Sequence, residues 1–175
     1  MIKNYFFILI LLLSGCMAKK ETTQTQLLPL EEQQFAQTFP YSVVDTIKVI
    51  AYNSQGLPGC LTQSLVNEKG EFDVKNSHTT NGIEQVKLLT PIQVKQIFKI
   101  LTAKDASSMQ VADCYLPRHA IVFYKSQKVI AFIEFCFECN QYCMYPTKNT
   151  FSYIGQNKME QIKYFLGELG GIKYL

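Results

Sequence analysis

Cysteine is the residue type with the widest choice of chemistry in this chain, and it occurs six times in 175 residues. The cysteines are Cys16, Cys60, Cys114, Cys136, Cys139 and Cys143. Four of them lie in the stretch from Cys114 to Cys143, and that stretch contains a CxxC motif. Thiols at these spacings can form structural disulfides, exchange with other disulfides, or bind a metal ion as thiolates.

A structural disulfide is the chemistry that we favour for this stretch. Residues 119–137 have the composition of a β-hairpin, and its predicted register, continued outward, places Cys114 opposite Cys139. The first predicted pair is therefore Cys114–Cys139, and the second is Cys114–Cys136. Closing such a loop stabilises a fold by ~3 kcal/mol in the chain-entropy treatment.

Thiol–disulfide redox chemistry is a competing hypothesis, because Cys136 and Cys139 have the spacing used by thiol–disulfide oxidoreductases. In those enzymes the first cysteine lies at a helix N-terminus, where the helix dipole lowers the thiol pKa. Here a predicted strand precedes the motif, and residues 140–146 are a poor start for a helix. The sequence context therefore disfavours a redox enzyme.

A thiolate metal site is the other competing hypothesis. Its ligands would be Cys114, Cys136, Cys139 and Cys143, with His119 as a substitute for one of them. One CxxC motif with additional cysteines is weaker evidence for zinc than two such motifs at a conventional separation. We therefore expect neither a metal ion nor a dissociable cofactor.

Three polar residues of the hairpin, Arg118, His119 and Glu134, are further candidates for a site. Arg118 and His119 could bind an anion, and His119 with Glu134 could act as an acid–base pair. The interpretation that we favour is a cross-strand His–Glu contact, which contributes about 1 kcal/mol or less. No catalytic triad, phosphate-binding loop or dinucleotide fingerprint occurs in the sequence.

The element that positions these residues is the predicted hairpin, with strands over 119–125 and 128–137. Both strands are rich in Val, Ile, Phe and Tyr, and Ser126-Gln127 supplies the turn. A two-residue loop pairs Val122 with Ala131 and His119 with Glu134. Because neither face of the pair is mainly polar, both strands are predicted to lie inside a sheet that is covered on both sides.

Two helices and several strands are predicted around the hairpin. Thr90, Pro91 and Gln93 form a capping box that begins a helix over 91–103. A second helix is predicted over 157–169, with Asn157 and Glu160 as a capping box at its start and Gly170-Gly171 after its end. The remaining predictions are strands over 43–52, 83–89 and 151–154, a weak hairpin over 60–74, a short helix after Pro29 and a loop over 140–150. This order predicts an α+β fold with a mainly antiparallel sheet.

The N-terminus predicts where the protein resides. A short basic start and an apolar run over 5–13 have the pattern of a signal peptide, and the run is too short to span a bilayer. The motif Leu13-Ser14-Gly15-Cys16 that follows resembles the lipobox of bacterial lipoproteins. The resemblance implies that Cys16 receives a diacylglycerol and that the chain is cleaved before it. The predicted organisation is a signal peptide over 1–15, a tether over 16–27 and one domain over 28–175.

The lipobox resemblance also implies a cell-envelope location, and Met17 in place of Asp favours the outer membrane. Five cysteines remain after Cys16, so at least one is unpaired or bonded elsewhere, and an oxidising compartment favours disulfides. Without residues 1–15 the chain has 16 basic and 14 acidic residues, which argues against a nucleic-acid partner. The stretch from Cys114 to Cys139 further resembles small bacterial lipoproteins and secreted proteins of unassigned function. We therefore expect a lipid-anchored, non-enzymatic binding or structural module.

Overall fold

A computed structural model describes residues 38–53, 66–73, 83–146 and 151–173. Its strands are β1 (Thr46–Tyr52), β2 (Ile83–Leu88), β3 (His119–Lys125), β4 (Lys128–Cys136) and β5 (Gln141–Tyr145), and its helices are α1 (Pro91–Thr102) and α2 (Gln156–Glu168). The predicted signal peptide, Cys16, the tether, the helix after Pro29 and most of the hairpin over 60–74 lie outside the described residues. No helix in the described part is long and apolar enough to cross a membrane.

The five strands form one antiparallel sheet in the order β2-β1-β3-β4-β5, which confirms the predicted α+β fold. The central hairpin is β3 and β4, and almost every residue in both strands is buried. They are interior strands, as their two-sided apolar pattern predicted, and β2 and β5 lie at the edges.

The two faces of the sheet have different coverings. On one face, apolar residues of β1, β3 and β4 pack with both helices in the main core, in which Val49, Ile121 and Ile133 are fully buried. On the opposite face, Val122 and Phe132 pack with Phe72 from the segment 66–73 in a second cluster. Because side chains alternate along a strand, Glu134 and Cys136 share this second face with Phe132.

Helix α1 begins as predicted. The Thr90 side chain accepts a hydrogen bond from the Gln93 amide, and the Gln93 side chain accepts one from the Thr90 amide, with Pro91 at the first helical position. Ile97 and Leu101 are its fully buried residues. This capping box could be found from sequence because every participant lies within four residues of the others.

Helix α2 begins differently from the prediction. Its N-cap is Gly155, and no side chain of the helix itself forms a cap. The Asp105 carboxylate, from the loop after α1, accepts hydrogen bonds from the amides of Gly155 and Lys158, each at 2.9 Å. The predicted capping box at Asn157 and Glu160 is therefore wrong, because a side chain distant in sequence takes the role of the cap.

Asp105→Ala is expected to lower the free energy of unfolding by about 1–2 kcal/mol, the usual effect of losing a helix cap. The Ser107 hydroxyl, followed by backbone amides, lowers the pKa of Asp105 to about 2. The carboxylate's contribution is therefore fully present above the unfolded value of 3.8 and is lost as the pH falls through about 2. Urea unfolding across this range measures the effect, with Asp113→Ala as an exposed control. An unchanged midpoint for Asp105→Ala at pH 7 would contradict the capping role.

Two further predictions are wrong at the C-terminal side of the hairpin. Residues 141–145 form strand β5 rather than a loop, and they pair with β4 from Cys136 to Phe132. Residues 151–154 are not a strand and instead lead into α2. The edge strand therefore comes directly after β4, joined by a tight turn in which Asn140 has a φ of 50°.

The register of the central hairpin also differs from the prediction beyond its first pairs. Lys125 pairs with Lys128 and Tyr124 with Val129, as the two-residue loop requires, and both loop residues have positive φ. A bulge then inserts Ile130, so that Phe123 pairs with Ala131 and every later pair is shifted by one residue. The predicted Val122–Ala131 and His119–Glu134 pairs are therefore wrong.

Candidate functional site

Three of the cysteines in the described residues meet on the second face of the sheet, at the end of the hairpin away from its turn. Cys136 ends β4, Cys143 lies in β5, and Cys139 lies in the turn that joins these strands. All three are buried together with Tyr115, and Leu116 packs against them. We call Cys136, Cys139 and Cys143 the sulfur cluster.

The sulfur cluster is oxidised. A disulfide joins Cys136 to Cys139, and Cys143 is disulfide-bonded as well. Cys114 is an exposed free thiol whose Sγ lies 2.9 Å from Sγ of Cys139. The sequence predicted Cys114–Cys139 first and Cys114–Cys136 second, and the bond in the structure is neither of these. The predicted proximity of Cys114 to Cys139 is nevertheless present, because the segment before β3 folds back along the turn after β4.

Hydrogen bonds hold the segment before β3 against that turn. The Ala112 amide donates to the Cys139 carbonyl at 3.0 Å, and the Asn140 side chain donates to the Gln110 carbonyl at 3.1 Å. The Gln141 side chain donates to the Ala112 carbonyl. Cys114 is therefore held beside Cys139 by bonds on the N-terminal side of its own segment.

Glu134 lies beside the sulfur cluster as a fully buried carboxyl group in β4. It lies directly opposite Cys143 in the β4–β5 pairing. Its Oε1 accepts a hydrogen bond from the Tyr52 hydroxyl, and its Oε2 accepts one from the Tyr115 hydroxyl at 2.9 Å. The carboxyl group thus joins β1, β4 and the segment that covers the cysteines.

Burial controls the protonation of this group. Removal from water raises the pKa of Glu134 to about 7, although the two tyrosine hydrogen bonds act in the opposite direction. Burial and the nearby Glu134 raise the pKa of both Tyr52 and Tyr115, so both hydroxyls remain protonated and continue to donate. The group therefore changes charge near neutral pH while its two donors do not.

The structure does not bring together the polar residues that the sequence proposed as a site. His119 lies on the helix-covered face, where its Nε2 is 2.6 Å from the Lys173 carbonyl, and burial lowers its pKa. Glu134 lies on the opposite face, and Ala120 is its partner in β3. Arg118 forms an ion pair with Glu138 at 3.3 Å. A His119–Glu134 acid–base pair is excluded by this geometry, because the sheet separates the two side chains.

The CxxC motif has a different context from that of a thiol–disulfide oxidoreductase. It spans the end of β4 and a turn that leads into β5, and neither helix of the described residues begins at this motif. The oxidised cysteines also do not form the thiolate set of a metal site. Within the described ranges, no group of three or more His, Cys, Asp or Glu residues has the arrangement of a metal site.

The aromatic residues between Tyr145 and Tyr153 mainly pack against aromatic residues of the sheet. Tyr145 stacks on Phe132 with ring centroids 5.5 Å apart, and Phe151 contacts Phe123 at 5.3 Å. Tyr153 is exposed. These contacts favour a packing role for the stretch over a continuous aromatic binding surface.

Sequence reasoning missed Tyr52 and Tyr115, which hold Glu134. The available indication was Glu134 itself, because an acidic residue in an otherwise apolar interior strand requires hydrogen-bond partners. The identity of the partners could not be derived, since Tyr52 is 82 positions away along the chain.

Comparisons of this chain with protein-family models, with curated proteins and with solved structures gave no significant match.

Proposed function

We propose that this chain is a lipid-anchored cell-envelope protein whose domain is a non-enzymatic binding or structural module. The anchor is a lipid on Cys16, inferred from the lipobox resemblance of residues 13–16. Two or more acyl chains give durable membrane attachment, because each buried methylene contributes ~0.8 kcal/mol and one chain is only marginal.

The observation that carries this proposal is the oxidised sulfur cluster. Disulfides persist in the envelope and in secreted proteins, whereas cytosolic thiols are kept reduced. Cys136 and Cys139 are bonded to each other and are each only 1% exposed. A disulfide packed this closely under Tyr115 supports a structural role at the end of the hairpin.

The environment of Glu134 supports a non-enzymatic module. General acid–base catalysis requires a carboxyl group that can reach a substrate. Both oxygens of Glu134 already accept tyrosine hydroxyls, and the side chain is fully buried. Glu134 thus links elements of the fold through its hydrogen bonds, and its side chain is not exposed at the surface where a substrate would bind.

The proposed location is the outer membrane, because Met17 follows the lipid-bearing cysteine where inner-membrane lipoproteins commonly have Asp. Cells producing the full chain can be labelled with palmitate and fractionated on a density gradient. We expect a labelled protein in the outer-membrane fraction, and we expect Cys16→Ser to lose both the label and the membrane association.

Cys114→Ser is the matched control for that experiment, since it removes another cysteine and leaves the lipobox intact. It is expected to keep the label and the location. An unlabelled wild-type protein in the soluble fraction would overturn the proposed anchor. Label in the inner-membrane fraction would overturn only the proposed address.

A further inference from the structure

We propose that Cys114, Cys139 and Cys136 form an internal thiol–disulfide exchange site in which the Cys114 thiol attacks Cys139. The disulfide then moves from Cys136–Cys139 to Cys114–Cys139. This inference does not depend on the lipid anchor, because it rests on three sulfur atoms of the described domain.

The first support is the position of the attacking atom. Thiol–disulfide exchange requires a thiolate in contact with one sulfur of a disulfide. Cys114 Sγ lies 2.9 Å from Cys139 Sγ, and Cys139 Sγ is bonded to Cys136 Sγ. Cys139 Sγ therefore lies between the other two sulfur atoms, and it can form a disulfide with either of them.

The second support is that the backbone keeps this arrangement in place. The Ala112 amide donates to the Cys139 carbonyl on one side of Cys114. On the other side, Tyr115 is buried and donates to Glu134, and the Arg118 amide donates to the Phe135 carbonyl at 3.1 Å. The chain is thus held on both sides of Cys114 by hydrogen bonds that do not involve its sulfur atom.

The exchange conserves atoms and electrons. Cys114 loses its proton to water, and its thiolate forms a bond to Cys139 Sγ while the Cys139–Cys136 bond breaks. The electron pair of that bond leaves with Cys136 Sγ, which takes up a proton. One disulfide and one thiol exist before and after the step, so no oxidant or reductant is required.

The exposure of Cys114 indicates that the site can react with a thiol from outside the protein. Cys136 and Cys139 are buried, whereas Cys114 is exposed. An external thiol can attack the exposed Cys114 sulfur of the exchanged disulfide and form a mixed disulfide there, releasing Cys139 as a thiol. Cys114 would then be the route by which external thiols reach a buried disulfide.

Peptide mapping tests the exchange directly, because trypsin separates Cys114 from Cys136 and Cys139. Cys114 lies in the tryptic peptide 105–118, and Cys136, Cys139 and the disulfide-bonded Cys143 lie in the peptide 129–148. The unreduced full chain is incubated between pH 6 and pH 9, alkylated rapidly with N-ethylmaleimide and digested. We expect a fraction in which 105–118 is linked to 129–148 and Cys136 is alkylated. The rate of its formation should rise with pH, because the thiolate is the attacking species.

Two variants complete the test. Cys136→Ser, oxidised with diamide, should give the linked peptides in full, because Cys139 then lacks its disulfide partner and Cys114 Sγ lies 2.9 Å from its sulfur. Cys114→Ser should slow the reduction of the buried disulfide by dithiothreitol roughly tenfold. Val111→Ser, at an exposed side chain of the same segment, should leave the rate unchanged. Alkylated Cys114 with no linked peptide at any pH, or no linkage in Cys136→Ser, would overturn the proposal.

Discussion

Glu134 is expected to contribute a decrease on the order of 3 kcal/mol to the free energy of unfolding between pH 4.5 and pH 7.5, and Glu134→Gln is expected to remove this contribution. The cause is burial, which raises the pKa of Glu134 from 4.5 to about 7. Between these values the folded protein binds a proton that the unfolded chain releases. The contribution is thus fully present below pH 4.5 and is lost as the pH rises through about 7.

Urea unfolding at several pH values measures this effect. Gln has the shape of the protonated side chain and does not ionise, so Glu134→Gln should be at least as stable as the wild type at pH 7.5. Glu168→Gln, on the exposed surface of α2, is the matched control and should retain the wild-type pH dependence. A Glu134→Gln variant with an unchanged slope would contradict the assignment of this titration to Glu134.

Gly155→Ala is expected to lower the free energy of unfolding by about 2–4 kcal/mol, because a side chain at this position overlaps the loop that caps α2. A Cβ atom there would contact the Ser107 carbonyl oxygen and would lie 2.5 Å from Ser107 Oγ and 2.9 Å from Asp105 Cγ. The backbone conformation at Gly155 suits any residue, since its φ is −90° and its ψ is −172°. The destabilisation therefore comes from steric overlap with the cap.

Gly167→Ala is the matched control, because it introduces the same methyl group within the same helix. A Cβ atom at Gly167 has no neighbour within 4 Å. Alanine there should stabilise the protein by about 0.5–1 kcal/mol through its higher helix propensity. Thermal or urea unfolding of both variants gives the comparison, and equal effects at the two positions would contradict the proposed overlap.

The sequence was sufficient for those parts of the fold that depend on short-range patterns. The apolar strands of the hairpin, its two-residue turn and the capping box at Thr90 each involve residues close together in the chain. The bulge at Ile130 was not predictable, because no Gly or Pro marks it and either register buries apolar side chains on both faces. Where both faces of a strand are apolar, alternation does not determine the register.

The parts that sequence could not provide depend on contacts between distant segments. Asp105 caps a helix 50 residues further on, and Tyr52 reaches Glu134 from a different strand. Lys158 is buried with its Nζ donating to the carbonyls of Leu101 and Tyr153, which joins α2 to the end of α1. Each of these contacts requires the tertiary arrangement to be known before the partner can be identified.

The most direct test of the account is the covalent state of the mature protein, extracted from membranes without reductant and alkylated immediately. We predict an acylated Cys16 at the N-terminus, and one alkylated thiol among Cys114, Cys136 and Cys139 with the other two joined in a disulfide. Mass spectrometry of the intact chain and of its tryptic peptides reads both features in one preparation. An unacylated chain that begins at Met1, with all three of these cysteines alkylated, would contradict the account.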